Sequence, residues 1–277
     1  MTELTLGYRA DSSLQPRFLK NSEVEAVAQQ ARKQLLPGDA DAMPMEVLRS
    51  ITRLQVNGLG YDLWVDTENP VADENGSPVF GICEFDIGAG IDHAAVSVSP
   101  VGGDMTEELV LSTLGHELGH AVFDVPGWIR AAAAGPGLFG TATAGAHAYR
   151  STTRDVAHLG SNAAHGSLAS SNDRDRQQAL RFSEFRANEF MGSLLVPRDR
   201  VIQAVIELAP KYEVKLEYTG LADGALAGQP TVRAENVVGF VDMENLQKAI
   251  GKRFGVHGRF IRVRMQRYGL LGSDIPH

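Results

Sequence analysis

Apolar residues recur at three- and four-residue intervals near the start of the chain, at Val24, Val27, Ala28, Ala31 and Leu35, which is the period of a helix with one buried face. Ser22 and Glu25 supply a capping-box pattern in front of this run and Pro37-Gly38 ends it. Pro44 opens a second helical pattern through Val47, Leu48, Ile51 and Leu54, closed by Asn57-Gly58. The period then shortens. Tyr61 to Val65, Val79 to Phe85 and Ala94 to Ser99 read as strands, the first two joined by a polar link that contains the turn pair Asn75-Gly76. The third strand alternates in polarity and is expected at a sheet edge, where an extended peptide could pair with it.

A further helix is predicted from Thr106. This residue is a suitable N-cap, Glu107 and Glu108 place negative charge in the first turn, and Leu109, Val110, Leu114, Leu118 and Val122 form an apolar stripe that Pro126-Gly127 should stop. Gly115 and Gly119 each weaken such a helix by about 1 kcal/mol relative to alanine, a cost that makes sense if another backbone or a substrate must approach closely. Glu184 to Pro197 carries a second amphipathic helix, with Phe190, Met191, Leu194 and Leu195 available to pack it against the first. Another helix follows from Val201 to Leu208, while Lys211 to Arg233 has strand character without a definite place. At the end of the chain Leu246, Ala249, Ile250 and Phe254 share a helical face, Gly255 turns the chain, and Phe260, Ile261, Arg264, Met265 and Tyr268 suggest a short arginine-rich helix. The order of elements is α+β.

Composition adds limits. With 277 residues, 43% of them hydrophobic, the chain can bury about three quarters of its unfolded surface. That suits a main domain over 1–200 and a mainly helical region over 201–277. Between Ala131 and Asn172 the residues are mostly Ala, Gly, Ser and Thr, so a mobile insertion over 131–172 is expected, lying near any cleft. His147, Tyr149, His158 and His165 fall within it and are candidates for stabilising an oxyanion, none favoured over the others. Met1 to Phe18 lacks an apolar signal core, no stretch approaches a membrane span, and Cys83 is the only cysteine. These features predict a cytoplasmic protein without membrane association. The net charge of −8 argues against a chain-wide nucleic-acid surface, but from Asp242 to His277 seven basic residues face three acidic ones, so DNA contact through 242–268 stays open.

The sharpest chemical signal is His116-Glu117-Leu118-Gly119-His120. On a helix, an offset of four residues leaves two side chains about 40° apart around the axis and roughly 6 Å apart along it, so both imidazoles can grip one ion. Glu117 then serves as a general base for hydrolysis. A catalytic zinc usually takes three protein ligands, and Glu184 is the best candidate for the third. Manganese or iron suits similar ligand sets. Asn188, one turn beyond Glu184, can hold the far nitrogen of a ligand imidazole or act as an ordinary core amide.

The His-Glu-x-x-His helix, the later helix with Glu184 and then Asn188, and the Leu-Leu-x-Pro ending at Pro197 together resemble the ImmA/IrrE metallopeptidases. The resemblance spans roughly residues 22 to 200 in element order, and its specific motifs cover the two helices. It implies a zincin-like core, a zinc ion held by His116, His120 and Glu184, catalysis by Glu117, and a helix-turn-helix-like tail. It also implies limited proteolysis of a protein substrate such as a helix-turn-helix repressor, in stress or mobile-element regulation. The chain departs from the family in having more than sixty residues between His120 and Glu184, and in having Asp124 where a further histidine often follows. Asp124 could serve the helix end, support a ligand histidine, or have no particular role. Two rival readings remain: a DNA-binding regulator with a sensory or vestigial metal site, and a deformylase-like amidase in which Cys83 is the third ligand. The sequence around Cys83 does not resemble the deformylase motif, and a buried strand cysteine is favoured.

Overall fold

Two compact units emerge from the contacts within the chain: Met1–Asp39 with Pro44–Leu194, and Ala40–Met43 with Leu195–His277. The computed structural model describes residues 2–16, 18–36, 38, 40–73, 76–85, 93–133, 147–151, 171–219, 228–234 and 237–272. The mixed α and β content agrees with the α+β expectation.

The first unit is built on a six-stranded sheet. Its strands are β1 (Thr2–Leu6), β2 (Ile51–Val56), β3 (Leu59–Asp66), β6 (Gly81–Phe85), β7 (His93–Val98) and β8 (His147–Ser151), in the order β1-β2-β3-β7-β6-β8. A small antiparallel pair, β4 (Val71–Ala72) and β5 (Pro78–Val79), lies between β3 and β6 in the chain. The helices are α1 (Asn21–Leu35), α2 (Met45–Arg49), α3 (Glu107–Phe123), α4 (Val125–Ala133) and α5 (Ser171–Leu195).

Several boundaries differ from the sequence reading. Helix α1 starts one residue before Ser22, and its box is formed by Lys20 and Glu23, with the Lys20 amide donating to Glu23 Oε2 at 2.8 Å. The second helix stops at Arg49, and Ile51 and Leu54 belong to β2. Branched Ile51, Thr52 and Val56 favour the pleated surface, and Asn57-Gly58, both at positive φ, turns β2 into β3 as a hairpin. The expected edge strand is interior: β7 pairs with β3 on one side and β6 on the other. The edge beside β6 is β8, which comes from the segment read as an insertion. Residues 134–146 and 152–170 of that segment, with His158 and His165, lie outside the described residues, as do Asn75 and the side chains of β8. Pro126 does not stop a helix. The break falls at Asp124, and Pro126 occupies the second position of α4, where its missing N–H costs nothing.

Helix α3 is the centre of this unit. Every residue from Val110 to Phe123 is buried, which explains why its apolar residues run round the helix instead of forming a stripe. One side meets the sheet, where the Tyr61 hydroxyl donates to the Ala121 carbonyl at 2.6 Å. Another side meets α5, where the Phe123 and Phe190 rings pack edge-on at 5.8 Å. Among the described residues no helix is long and apolar enough to cross a membrane.

The second unit holds α6 (Arg198–Leu208), a short 3-10 turn (Ala209–Tyr212), the antiparallel pair β9 (Lys215–Thr219) and β10 (Gln229–Arg233), and helices α7 (Val237–Phe254) and α8 (Gly258–Arg267). Within the stretch from Lys211 to Arg233 the described residues thus include a two-stranded ribbon. Leu246, Ile250, Phe254, Ile261 and Met265 are buried together with Val201 and Val205. Gly255, at φ 70°, makes the turn between α7 and α8.

Candidate metal centre

Helix α3 presents its two histidines where α5 crosses it. Thr106 caps the start of α3, its side chain accepting a hydrogen bond from the Leu109 amide at 3.3 Å, so the helical register of the motif is fixed from its own N-terminus. Near the far end of α3, His116 Nε2 and His120 Nε2 lie 3.1 Å apart. The Glu184 carboxylate of α5 closes the triangle: Oε2 is 3.4 Å from His116 Nε2 and Oε1 is 3.4 Å from His120 Nε2. Among the described residues this is the group of His, Cys, Asp or Glu side chains that could hold a metal ion.

These separations suit one small cation. Tetrahedral bonds of about 2.0–2.1 Å, as zinc makes to nitrogen and oxygen, imply donor-to-donor edges of about 3.3 Å. The three edges, at 3.1, 3.4 and 3.4 Å, fall on either side of that value. The donor set of two imidazoles and a carboxylate is also that of a hydrolytic centre.

Both rings are held from behind. His116 Nδ1 lies 3.1 Å from Asn188 Oδ1, and His120 Nδ1 lies 2.9 Å from Asp124 Oδ2. With Nδ1–H donating to these oxygens, both Nε2 atoms are turned toward Glu184. Asn188 is therefore more than a core amide, and Asp124 serves both the end of α3 and the His120 ring. Asp124 is itself gripped twice, by Ser183 Oγ donating at 2.7 Å and by Arg186 Nη2 donating at 2.7 Å. Sequence reasoning missed Ser183 and Arg186. Their position in the turn of α5 that carries Glu184 was the available signal.

The electrostatics follow from this packing. Burial opposes charge on His120, but its hydrogen bonds to Asp124 and Glu184 outweigh burial and push its pKa up to about 10. Burial likewise opposes charge on Glu184, yet the two imidazoles hold its carboxyl well below the usual carboxylate range. The triangle therefore calls for positive charge at its centre, carried by a proton or a cation.

Glu117 is fully buried and lies against β6. A Cβ placed on Gly81 would stand 2.6 Å from Thr113 Cγ2 and 3.1 Å from Glu117 Oε1, so a side chain there would collide with Thr113 and crowd this carboxylate. Cys83, two residues further along β6, is a buried free thiol. Burial pushes its pKa well up, which disfavours the thiolate that a metal needs. His147 and Tyr149 sit in the backbone of β8 opposite Phe85 and Cys83.

No family model, curated protein or solved structure matches the chain.

Proposed function

We propose that the protein is a zinc-dependent endopeptidase with a zincin-like core, hydrolysing peptide bonds in a protein substrate. The observation that carries this reading is the convergence of His116, His120 and Glu184 on one point, with both imidazoles anchored through Nδ1. These three side chains would hold the ion. When bound, the ion supplies Lewis acidity that makes water a better nucleophile and polarises a peptide carbonyl. Glu117 acts as the general base, taking a proton from the attacking water and passing it to the leaving amine. Asn188 and Asp124 keep the rings in the tautomer that binds the cation. The resemblance to the ImmA/IrrE peptidases points to a helix-turn-helix repressor as substrate and to a helix-turn-helix-like role for α7 and α8.

The DNA-binding reading has less support. Of the basic residues counted for it, Arg253 is spent on Asp41 and Glu207 at 2.6 Å each, Lys248 pairs with Glu244 at 2.8 Å, and Arg264 is buried under the Tyr268 ring.

The test compares wild type with Glu117→Gln after zinc loading, using a fluorescently labelled unfolded protein as substrate. Wild type should cleave it, while Glu117→Gln should keep its zinc and lose activity by a factor on the order of 10²–10⁴. An equally active Glu117→Gln protein removes the assigned role. Steep, salt-dependent binding to duplex DNA without proteolysis favours the regulator instead.

A further inference from the structure

Strand β1 ends the six-stranded sheet, at the opposite side from β8. Every second residue of β1 turns its peptide groups to β2, as where the Leu6 carbonyl accepts from the Asn57 amide at 3.0 Å. The alternate residues, Glu3, Thr5 and then Gly7 just past the strand, turn theirs outward. Such a row of N–H and C=O groups is a template for another strand, but here α1 occupies it. Gln34 accepts from the Thr5 amide at 2.9 Å and donates to the Thr5 carbonyl at 2.8 Å. Gln30 accepts from the Gly7 amide at 3.1 Å and donates to the Gly7 carbonyl at 3.3 Å.

The spacing explains the fit. Four residues of helix advance about 6 Å and two residues of strand about 6.6 Å, so Gln30 and Gln34 fall beside alternate residues of the strand. Each side-chain amide offers one acceptor and one donor, as a neighbouring peptide group would. Thr5, Gly7, Gln30 and Gln34 are all exposed, so water can satisfy these backbone groups without the glutamines. The effect of the clasp is therefore to occupy the edge.

That edge is self-complementary. Antiparallel pairing about a two-fold axis at Thr5 sets Thr5 against Thr5 of the second copy and Glu3 against its Gly7, so all three outward residues find partners and the two Glu3 carboxylates stay apart. A Thr–Thr pair is favourable across such a ladder. We propose that the outer edge of β1 is a pairing surface for a second copy of this chain, and that Gln30 and Gln34 hold it closed. Neither bound metal nor turnover is needed, so the surface is independent of the peptidase reading.

Gln30→Ala/Gln34→Ala places the best helix former at two exposed helix positions and should fold. Amide exchange at Thr5 and Gly7 should become about fivefold faster, as expected for the loss of one hydrogen bond at each. In sedimentation equilibrium the double variant should shift, as concentration rises, to twice the wild-type mass. Adding Thr5→Pro removes the outward N–H at the centre of the pairing and leaves the bonds to β2 in place, and should restore the wild-type mass. Wild-type mass for the double variant at every concentration overturns the surface, and so does association that survives Thr5→Pro. If the double variant does not fold, Gln34→Ala alone, which frees Thr5, decides by the same two measurements.

Discussion

Gly119 of α3 packs directly on Ala187 of α5, so closely that a Cβ on the glycine would fall 2.7 Å from Ala187 Cα and 3.1 Å from its carbonyl oxygen. Those atoms are backbone and cannot swing aside. The contact sits one residue before His120 and three after Glu184, so it sets the gap that the ligands span. Alanine at 119 should gain about 1 kcal/mol of helix propensity and lose about 1–3 kcal/mol to overpacking. The expected outcome for Gly119→Ala is net destabilisation in urea together with weaker zinc retention against a chelator. Wild-type behaviour in both assays would mean that the helices can separate without consequence.

Asp124 joins His120 to Ser183 and Arg186. Asp124→Asn keeps the shape but leaves the buried Arg186 charge uncompensated, a change that costs about 3–5 kcal/mol where a buried pair is broken. Loss of a partner behind a ligand imidazole typically lowers metal affinity about 10–100-fold. Denaturant unfolding and chelator competition read the two effects separately.

A cation entering the centre must displace the proton that His120 holds up to about pH 10. Apparent zinc affinity should therefore fall about tenfold for each pH unit between 8 and 6. In metal-free protein the signs are opposite for the two partners. The raised His120 pKa contributes stability that is complete below its ordinary 6.5 and is lost as pH rises towards about 10. The lowered Glu184 pKa contributes stability present above its ordinary 4.5 and lost as pH falls below it. Chelator-treated protein should melt highest between those two ordinary values and progressively lower from pH 7 to 10. A Tm that rises over that alkaline range would contradict the pairing.

Cys83 and Glu184 can be told apart by metal content. Glu184→Gln should lose zinc, while Cys83→Ser should retain a full equivalent, because the thiol is buried in β6 outside the triangle. Elemental analysis giving the reverse pattern would replace Glu184 with Cys83 as the ligand.

Strand order was the weakest part of the sequence reading, and β7 illustrates why. Its alternating polarity, from Ala94 to Ser99, predicts an edge, but alternation reports only that the two faces differ. Which strands lie beside it depends on hydrogen bonds to β3 and β6, whose residues carry no mark of that choice. Ile51 and Leu54 show the same limit at shorter range. Their three-residue spacing fits a helix, and only the hairpin through Asn57-Gly58 commits them to β2.

By itself the sequence determined what is local in the chain. The Thr106 cap, the continuous run of α3 and the four-residue offset of His116 and His120 follow from the helical repeat, because backbone hydrogen bonds within one helix fix which side chains share a face. Tertiary structure decided the rest. That Glu184 reaches the pair across more than sixty intervening residues, that Asp124 turns to His120 and is held there by Ser183 and Arg186, and that Gly119 meets Ala187 all depend on how α5 docks against α3. Docking is governed by shape and burial between distant segments, and neither has a period that can be read along the chain.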